Sequence, residues 1–476
     1  MDTLKRFFKD TAIYGVTTVL ARFVGFVLVP LHTWAMGTVD YSSVTTFFVY
    51  AAFFNVLLSY GMETAFFRFF NTQKDKHTVY STSLISLTTS TILFFIGVWL
   101  FKDLIADFIQ VDRYYFKILV GITVLDALVV APFAYLRATN RPIRFAGVKL
   151  TNIAVVGFLN LFFLWMIPTF NWNFSFYDKQ ELLQYVFWAN LAASAVTLLL
   201  LLPLFFKVKL HFDTRLFKKL LRYGWPILAA GIAFVINENL DKLMLEQMID
   251  KDVMGAYAGC YKIAVFMTIF IQAFRLGAEP FFFSHATSEN ATANYATILK
   301  YFVIAGSLGL LIIVCFIDPL KDFIVRDKSY HKAIDIVPIV LLANLCLGIY
   351  HNLSIWYKLT DKTRYGMYIS IIGAAITIIF NWVMIPKIGF IASAWATLAA
   401  YGGMMIISYQ LGKKYYPVPY DLKKIGFYLA FAIGLAALSY LQFRANYWLA
   451  TTLVLVFLAA AFFIEKRELQ LIFKRS

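Results

Sequence analysis

Apolar stretches long enough to cross a membrane follow one another along this chain almost without interruption. About fourteen such stretches can be marked, and a spanning helix needs roughly 20 predominantly apolar residues. The longest polar segment between two of them is residues 207–222. The sequence therefore leaves no room for a water-soluble domain, and any activity takes place within the bilayer or at its surfaces.

The composition supports the same conclusion. Hydrophobic residues make up 61% of the chain and charged residues 15%, whereas soluble globular domains carry about 25% charged residues. We therefore predict an all-α polytopic membrane protein. The net charge of +16 raises the alternative of nucleic-acid binding, but the basic residues are scattered through short loops and form no contiguous stripe. We therefore expect no nucleic-acid partner. The three cysteines lie in apolar spans without metal-ligand spacing, so we also expect no metal and no cofactor.

The distribution of Lys and Arg predicts the orientation, because short cytoplasmic loops carry an excess of them. With the amino terminus inside, the predicted inner segments hold more than twice as many basic residues as the outer ones. We therefore expect both termini in the cytoplasm. The loop 321–332 disagrees, since it places four basic residues outside. Either the spans are miscounted there or the loop has a local reason for its charge.

The polar segment 207–222 divides the spans into two groups. Its mixture of charged and apolar residues suits an amphipathic helix in the headgroup region, so we interpret it as a cytoplasmic linker. We predict one six-helix lobe over residues 1–206 and a second over 223–412. Two additional transmembrane helices and a cytoplasmic tail are predicted over 413–476.

The motif Gly-x-Glu-x-x-Phe-Phe occurs twice, at residues 61–67 and 277–283. Each copy lies at the predicted cytoplasmic end of the second helix of its half. The halves are an even number of spans apart, so they have the same orientation. Weak symmetry between halves is typical of transporters, and we predict a duplication about an axis along the membrane normal.

The amino-terminal part of the chain contains four short motifs. They are Thr-Ala-Ile-Tyr-Gly at 11–15, Arg-Phe-Val-Gly at 22–25, Pro-Leu at 30–31 and Tyr-Gly-Met-Glu-Thr-Ala-Phe-Phe-Arg at 60–68. With these motifs the chain resembles the bacterial polysaccharide-export flippases, the Wzx-type branch of the multidrug/oligosaccharidyl-lipid/polysaccharide exporter superfamily. The similarity is strongest over residues 1–75 and extends to the whole chain in span count, in the break near residue 210 and in length.

This resemblance implies two six-helix lobes around a central cavity that alternates between inward-open and outward-open states. It implies a flippase of the bacterial cytoplasmic (inner) membrane that translocates a polyprenyl-pyrophosphate-linked oligosaccharide for cell-surface polysaccharide, such as the O-antigen of lipopolysaccharide. The expected partners are this substrate, membrane lipid, and H+ or Na+ as the coupling ion, and a monomer suffices. Drug exporters of the superfamily usually stop at twelve helices, so the two further spans at about 425–443 and 447–464 favour the lipid-linked branch.

Charged residues inside the spans are the candidate site, because a charge at bilayer depth is costly and is expected to face a cavity or a partner. Arg22 lies near the middle of the first span. It either binds the pyrophosphate or an acidic sugar of the substrate or forms a structural salt bridge or carbonyl clamp. Asp126, in the fourth span, is either the counter-ion of Arg22 or a carboxylate whose protonation is coupled to transport.

The seventh span carries several charges in its outer half. Glu238, Lys242 and Glu246 share one helical face and can pair among themselves, which would give a self-neutralising polar face. The alternative is a cation or sugar site facing the cavity, with Glu238 and Asp241 as ion-coupling residues. Lys262, in the eighth span, is a candidate substrate-binding cation for the same cavity.

Four further charged residues lie at the inner ends of spans two and eight: Glu63, Arg68, Arg275 and Glu279. Arg68 and Arg275 can extend to the lipid headgroups, and Arg275 can instead meet the pyrophosphate in an inward-open state. Because the two glutamates occupy equivalent positions in the repeat, a gate between the lobes is the alternative. Its candidate members are the two glutamates, Arg68 and Lys242.

Three functions compete at this point. The flippase is preferred. A membrane glycosyltransferase or polymerase is disfavoured, because no predicted outer loop exceeds about 15 residues and no clustered acidic metal site is present. A cation-coupled drug exporter of the same fold is the remaining alternative.

Overall fold

The computed structural model is all-helical over the part of the chain that it describes, which is residues 17, 20, 23–207, 209–284, 286, 288–360 and 362–475. Within this part, 13 helices are long and apolar enough to span a membrane. A shorter apolar helix, α1 (Phe23–Ala35), precedes them where the first span is predicted. The prediction of about fourteen transmembrane helices is therefore confirmed.

The 13 spanning helices follow α1 and are numbered α2 to α14 in chain order. We call α1 to α6 the N lobe, α7 to α12 the C lobe, and the predicted cytoplasmic end the inner end. The bounds are α2 Thr38–Thr72, α3 Lys76–Leu100, α4 Arg113–Ala138, α5 Pro142–Phe170, α6 Leu182–Leu204, α7 Thr214–Met248, α8 Lys251–Phe283, α9 Ala291–Cys315, α10 Ile336–Leu359, α11 Arg364–Ile388, α12 Ile391–Tyr415, α13 Leu422–Gln442 and α14 Tyr447–Lys466.

Aspartate side chains cap the amino-terminal ends of four spans. Each accepts hydrogen bonds from backbone N–H groups of the first turn, which have no partner inside the helix. At the start of α7, hydrogen bonds from the backbone N–H groups of Leu216 and Arg215 hold the pKa of Asp213 below its ordinary value. The capping residues of α3, α4, α7 and α13 are Asp75, Asp112, Asp213 and Asp421.

The segment 207–222 differs from its sequence interpretation. Residues 209–213 are not helical, and Thr214 begins α7, which continues through Pro226 to Met248 as one helix. Residues 214–222 are thus the first turns of a spanning helix and do not form a separate helix in the headgroup region. The division of the chain at residues 206, 222 and 412 stays a prediction.

The last two helices are attached to the C lobe by charged side chains. Lys300 of α9 lies 2.6 Å from the Glu465 carboxylate of α14, and Lys424 of α13 lies 3.0 Å from the same group. Glu465 is only 2% exposed, and these two cations compensate its buried charge. On the other side, Arg444 between α13 and α14 pairs with Asp318 at 3.2 Å.

The two lobes meet mainly through α2, which packs against both α7 and α8. Near the inner end, Gly61 has a φ of 72°, and a Cβ there would lie 2.4 Å from the carbonyl oxygen of Gly224 in α7. Near the outer end, a Cβ on Gly255 of α8 would lie 1.9 Å from the carbonyl oxygen of Thr38. Glycine therefore permits backbone contact between the lobes at both ends of α2.

Candidate functional site

An ion pair lies at the inner end of the N lobe. The helix α2 bends at Tyr60 and Gly61, both of which have positive φ, and this bend precedes Glu63. The Glu63 carboxylate accepts a hydrogen bond of 2.6 Å from Arg137 at the end of α4. The Arg137 guanidinium also lies 4.9 Å from the centre of the Phe67 ring.

The C lobe carries the equivalent pair on the equivalent helices. Glu279 of α8 accepts a hydrogen bond of 2.9 Å from Lys358 at the end of α10. It also pairs with Arg275 one turn earlier, at 3.0 Å, so Arg275 has a protein partner in this conformation. Each repeat-equivalent glutamate is thus paired inside its own lobe, and the gate role predicted for Glu63 and Glu279 would require other partners in another state.

The residues around these pairs extend the internal repeat. Residues 137–141 read Arg-Ala-Thr-Asn-Arg and residues 358–362 read Lys-Leu-Thr-Asp-Lys. In the first segment the threonine hydroxyl donates to the carbonyl of Tyr135 at 2.7 Å, and in the second to that of Trp356 at 2.8 Å. The same residue types and the same local bonds therefore follow the fourth helix of each lobe, which supports a duplication.

Arg68 makes its contact across the lobes. Its guanidinium lies 4.5 Å from the centre of the Tyr223 ring in α7, beside the close approach of Gly61 and Gly224. A cation over a tyrosine face is attracted by the ring quadrupole. Arg68 is therefore placed at an inner contact between the lobes, where a gate residue would have to lie.

A cavity of about 710 Å³ lies inside the N lobe. It is lined by α2, α4, α5 and α6, and its inner end reaches the Glu63–Arg137 pair. Asp126 lines it and accepts a hydrogen bond of 2.8 Å from Ser194 of α6. The predicted partner of Asp126, Arg22, lies outside the described residues. Further amide and hydroxyl groups on the wall belong to Asn55, Ser59, Asn152, Asn190 and Thr197.

Lys149 of α5 lines the same cavity and has a different environment. Its ammonium lies 4.3 Å from the centre of the Phe133 ring. Within the described part of the chain, it has no hydrogen bond and no carboxylate within 4.0 Å. Lys149 is therefore a cation on a polar cavity wall without a protein acceptor.

A second cavity, of about 270 Å³, lies between the lobes. Phe48 and Asn190 line both cavities, so the two adjoin. On its N-lobe side, His32 Nε2 lies 2.8 Å from Asn160 Oδ1. On its C-lobe side it is lined by Lys242 and Lys262.

Lys262 projects from α8 into this second cavity. Among the described residues, it makes no hydrogen bond or ion pair. Since an unpaired ammonium within a membrane span is unfavourable, an anionic group in the cavity would compensate it. The structure thus brings the predicted cation Lys262 to a surface shared by both lobes.

The charges of α7 are arranged differently from the predicted pairing along one helical face. Lys242 pairs with its neighbour Asp241 at 3.0 Å and donates to the backbone carbonyl of Glu238 at 2.7 Å. Asp241 also accepts a hydrogen bond of 2.8 Å from Tyr257. The Glu238 carboxylate accepts a hydrogen bond from Tyr401 of α12. These groups form a buried C-lobe network, with Asp241 1% and Lys242 6% exposed.

Glu246 belongs to the outer contact between the lobes. It accepts a hydrogen bond from Thr46 of α2 and lies 3.8 Å from Lys251. Asp252 of α8 is held in the same way by Thr38 and by Lys332. The expected pairing of Glu246 with Lys242 is therefore wrong for this conformation, because Glu246 faces α2.

The basic loop 321–332 has a local reason for its charge. Lys321 pairs with Asp318 at 2.5 Å, and Lys332 pairs with Asp252. Two of the four basic residues are thus compensated by carboxylates. The loop thus has local partners for half of its basic residues, and its placement on the outer side stays a prediction.

Sequence reasoning missed several polar residues of the two cavities. Lys149 was overlooked because it lies near the inner end of its span, where basic residues ordinarily meet the headgroups. His32, Asn160 and Asn190 carry no formal charge and therefore gave no signal in a search for charges. The spacing of Asn152 and Lys149, which places both near one face of α5, is a signal that could have been used.

A family model described as polysaccharide biosynthesis protein matches residues 7–284. This is more than half of the chain. The protein belongs to this polysaccharide biosynthesis protein family. The resemblance stated from the amino-terminal motifs is thereby confirmed, and a second model, MatE, matches residues 226–383. A search of curated protein sequences found no significant match.

Solved structures of transporters share the fold of this polysaccharide biosynthesis family member. The lipid II flippase MurJ in an inward closed conformation matches with a TM-score of 0.74 and 15% identity, covering 95% of this chain and 99% of the other. An inward-facing multidrug resistance MATE family transporter matches with a TM-score of 0.66 and 11% identity, covering 83% and 94%. A transporter of the same superfamily from Pyrococcus furiosus matches with a TM-score of 0.59 and 12% identity, covering 86% and 95%.

These matches confirm the predicted fold class and the prediction of a multi-pass membrane protein, and the fold is the one found in the solved transporter structures. Within the described part of the chain, no cluster of three or more His, Cys, Asp or Glu side chains is arranged to hold a metal.

Proposed function

We propose that this protein is a flippase that moves a polyprenyl-pyrophosphate-linked oligosaccharide across the bacterial cytoplasmic membrane for cell-surface polysaccharide synthesis. Both termini would lie in the cytoplasm, as the charge bias predicts. The observation that carries the proposal is the pair of adjoining cavities, one of about 270 Å³ between the lobes with an unpaired Lys262 and one of about 710 Å³ in the N lobe.

The two cavities suit the two polar parts of such a substrate. Moving a pyrophosphate and sugars through hydrocarbon without replacement hydrogen bonds is costly. Lys262 offers a cation to the pyrophosphate, and the amides and hydroxyls of the N-lobe cavity replace the hydration of the sugars. Alternating contact of α2 with α7 and α8 would then open the cavities to each side in turn.

Substitution of Lys262 tests this proposal. A charge-assisted hydrogen bond contributes about 1.5–3 kcal/mol, so Lys262→Gln should reduce delivery of the glycan to the cell surface by about tenfold or more. The measurement is surface glycan in cells that depend on the variant, together with the amount of lipid-linked intermediate that remains at the inner leaflet.

Lys117→Gln is the matched control, because Lys117 is an exposed lysine in α4 that lines neither cavity. It should leave delivery unchanged. Normal glycan delivery by Lys262→Gln at normal protein levels would remove the cavity between the lobes from the mechanism.

For coupling to H+ or Na+, we propose Asp126 as the ion-binding carboxylate. It lines the open N-lobe cavity, whereas Asp241 is occupied by Lys242 and Tyr257. Glu238 and Asp241 remain candidates for a second site in the C lobe. In vesicles, Asp126→Asn should abolish the response of transport to an imposed ion gradient, and an unchanged response would assign coupling to another residue.

A cation-coupled drug exporter is the second candidate function, because the MatE model matches part of the C lobe and MATE transporters share the fold. The charges of the cavities argue against it. Lys242 and Lys262 line the cavity between the lobes, no Asp or Glu belongs to its described lining, and this cavity would therefore repel cationic drugs. Export of such a drug by the purified protein, with no effect of deletion on surface glycan, would favour the exporter.

A further inference from the structure

Two of the four charged groups on the wall of the N-lobe cavity, Asp126 and Lys149, form no ion pair within 4.0 Å among the described residues. Arg137 is paired with Glu63 at 2.6 Å, and Asp126 accepts a hydrogen bond from Ser194 at 2.8 Å. Lys149 has only the Phe133 ring as a close partner, at 4.3 Å. Asp126 has a hydrogen-bond donor in Ser194, whereas the ammonium of Lys149 has no hydrogen-bond acceptor and no carboxylate within 4.0 Å among the described residues.

The surroundings of Lys149 define which acceptor fits. Amide and hydroxyl groups of Asn55, Asn152 and Thr197 line the same cavity, and Asn152 donates to Thr197 at 3.0 Å. Such groups form hydrogen bonds with sugar hydroxyls in both directions. A lone ammonium among them suits a carboxylate carried on a sugar ring.

The cavity size agrees with such a ligand. Small-molecule sites usually measure about 300–1,000 Å³, and the N-lobe cavity holds about 710 Å³. The cavity between the lobes is smaller, at about 270 Å³, and has its own cation in Lys262. The two unpaired lysines thus lie in different cavities and can bind different anionic groups.

We propose that the N-lobe cavity binds an acidic sugar of the transported glycan and that Lys149 binds its carboxylate. This inference rests on the proposed flippase function and adds the substrate class, a glycan that contains a uronic acid or a related carboxylated sugar. The pyrophosphate is assigned to Lys262 in the other cavity.

The test uses three small probes with the full-length purified protein in detergent. They are the methyl glycoside of glucuronic acid, the methyl glycoside of glucose, and inorganic pyrophosphate. Lys149→Gln should weaken binding of the glucuronide by about tenfold or more and leave binding of the glucoside and of pyrophosphate unchanged. Lys149→Arg, which keeps the charge, should retain the preference for the glucuronide over the glucoside.

Two controls separate this inference from the proposed function. Lys262→Gln should weaken binding of pyrophosphate and leave the glucuronide unaffected, and Lys117→Gln should change neither. Thermal unfolding of each variant shows whether it is folded. If Lys149→Gln is not folded, the preference of Lys149→Arg for the glucuronide over the glucoside is the test that remains.

The inference is overturned if the glucuronide binds equally to the wild type and to Lys149→Gln. It is also overturned if Lys149→Gln loses pyrophosphate, because the lysine would then belong to the lipid carrier's phosphate site. In either case a transport defect of Lys262→Gln would still support the flippase. Normal transport by Lys262→Gln would instead count against the proposed function itself.

Discussion

The N lobe and the C lobe carry the same ion pair at the inner end but differ in what lies behind it. Glu63 pairs with Arg137 in the N lobe, and Glu279 pairs with Lys358 in the C lobe. Behind the first pair lies a polar cavity of about 710 Å³. In the C lobe, the charged groups of α7 are instead bonded to one another and buried.

The comparison separates two uses of a mid-span carboxylate. Asp241 is 1% exposed and is held by Lys242 and Tyr257, so its charge is compensated inside the protein. Asp126 lines an open cavity and accepts a hydrogen bond from Ser194. The two lobes thus carry similar inner ion pairs, while one interior holds an open polar cavity and the other a packed polar network.

The largest expected effect is a difference in stability between two alanine variants. Asp241→Ala leaves the Lys242 ammonium buried without its carboxylate, and breaking a buried pair costs about 3–5 kcal/mol. Asp126→Ala removes a carboxylate that faces a cavity and should cost less than about 1 kcal/mol. Denaturant unfolding in detergent measures both. Equal losses would mean that the two carboxylates do not differ in the way proposed.

A second pair of variants tests packing in the two lobes. Ala400 of α12 is fully buried, and overpacking a well-packed core costs about 1–3 kcal/mol or more. Ala400→Trp should therefore lower the unfolding temperature. Ala52 lines the N-lobe cavity, so Ala52→Trp should fill space and block transport with little change in stability. A large loss of stability from Ala52→Trp would show that the cavity does not stay open in solution.

The inner ion pairs should have smaller effects. Glu63 and Arg137 are 44% and 43% exposed in their side chains, and exposed pairs contribute about 0–1 kcal/mol. Glu279→Gln should destabilise more than Glu63→Gln, because it leaves two cations, Arg275 and Lys358, without their carboxylate.

The charge-reversed double variant Glu63→Arg with Arg137→Glu should recover transport that each single reversal loses. Surface glycan delivery is the readout for all three variants. If the double variant is as impaired as the single ones, the two residues act separately and do not form a functional pair.

The sequence predicted the number of helices well, because a long apolar run can only be a spanning helix in a bilayer. The sequence was a less reliable guide where one residue pattern is compatible with two different structures. Residues 214–222 are amphipathic either as a surface helix or as the first turns of a span, and the structure shows the second. Continuity with α7 depends on tertiary packing that the pattern does not contain.

The candidate site was predicted only in part. Lys262 was found because a charge inside an apolar run is conspicuous. The partners of charged residues were harder to predict: Lys242 was expected to pair along its helix but pairs with Asp241, and Glu246 contacts Thr46 of the other lobe. The contact between Glu246 and Thr46 joins residues 200 positions apart, and helical periodicity gives no information about it.

The smallest predicted effect concerns the attachment of α13 and α14 to the C lobe. Burial would raise the pKa of Asp318, but hydrogen bonds from Arg444 and Lys321 outweigh it, and the pKa of Asp318 is lowered from 3.8. A carboxyl group with a lowered pKa stabilises the folded state at pH values above its ordinary pKa, and this contribution is lost as the pH falls through the lowered value.

Arg444→Gln should therefore reduce stability by less than about 1 kcal/mol at neutral pH, because Arg444 is partly exposed. The difference from the wild type should shrink as the pH falls through the lowered pKa of Asp318, where this carboxyl group becomes protonated in both proteins. Unfolding temperatures measured across this range check the prediction. A difference that stays constant with pH would mean that Arg444 acts through packing on Tyr440 and that its charge does not attach the last two helices to the C lobe.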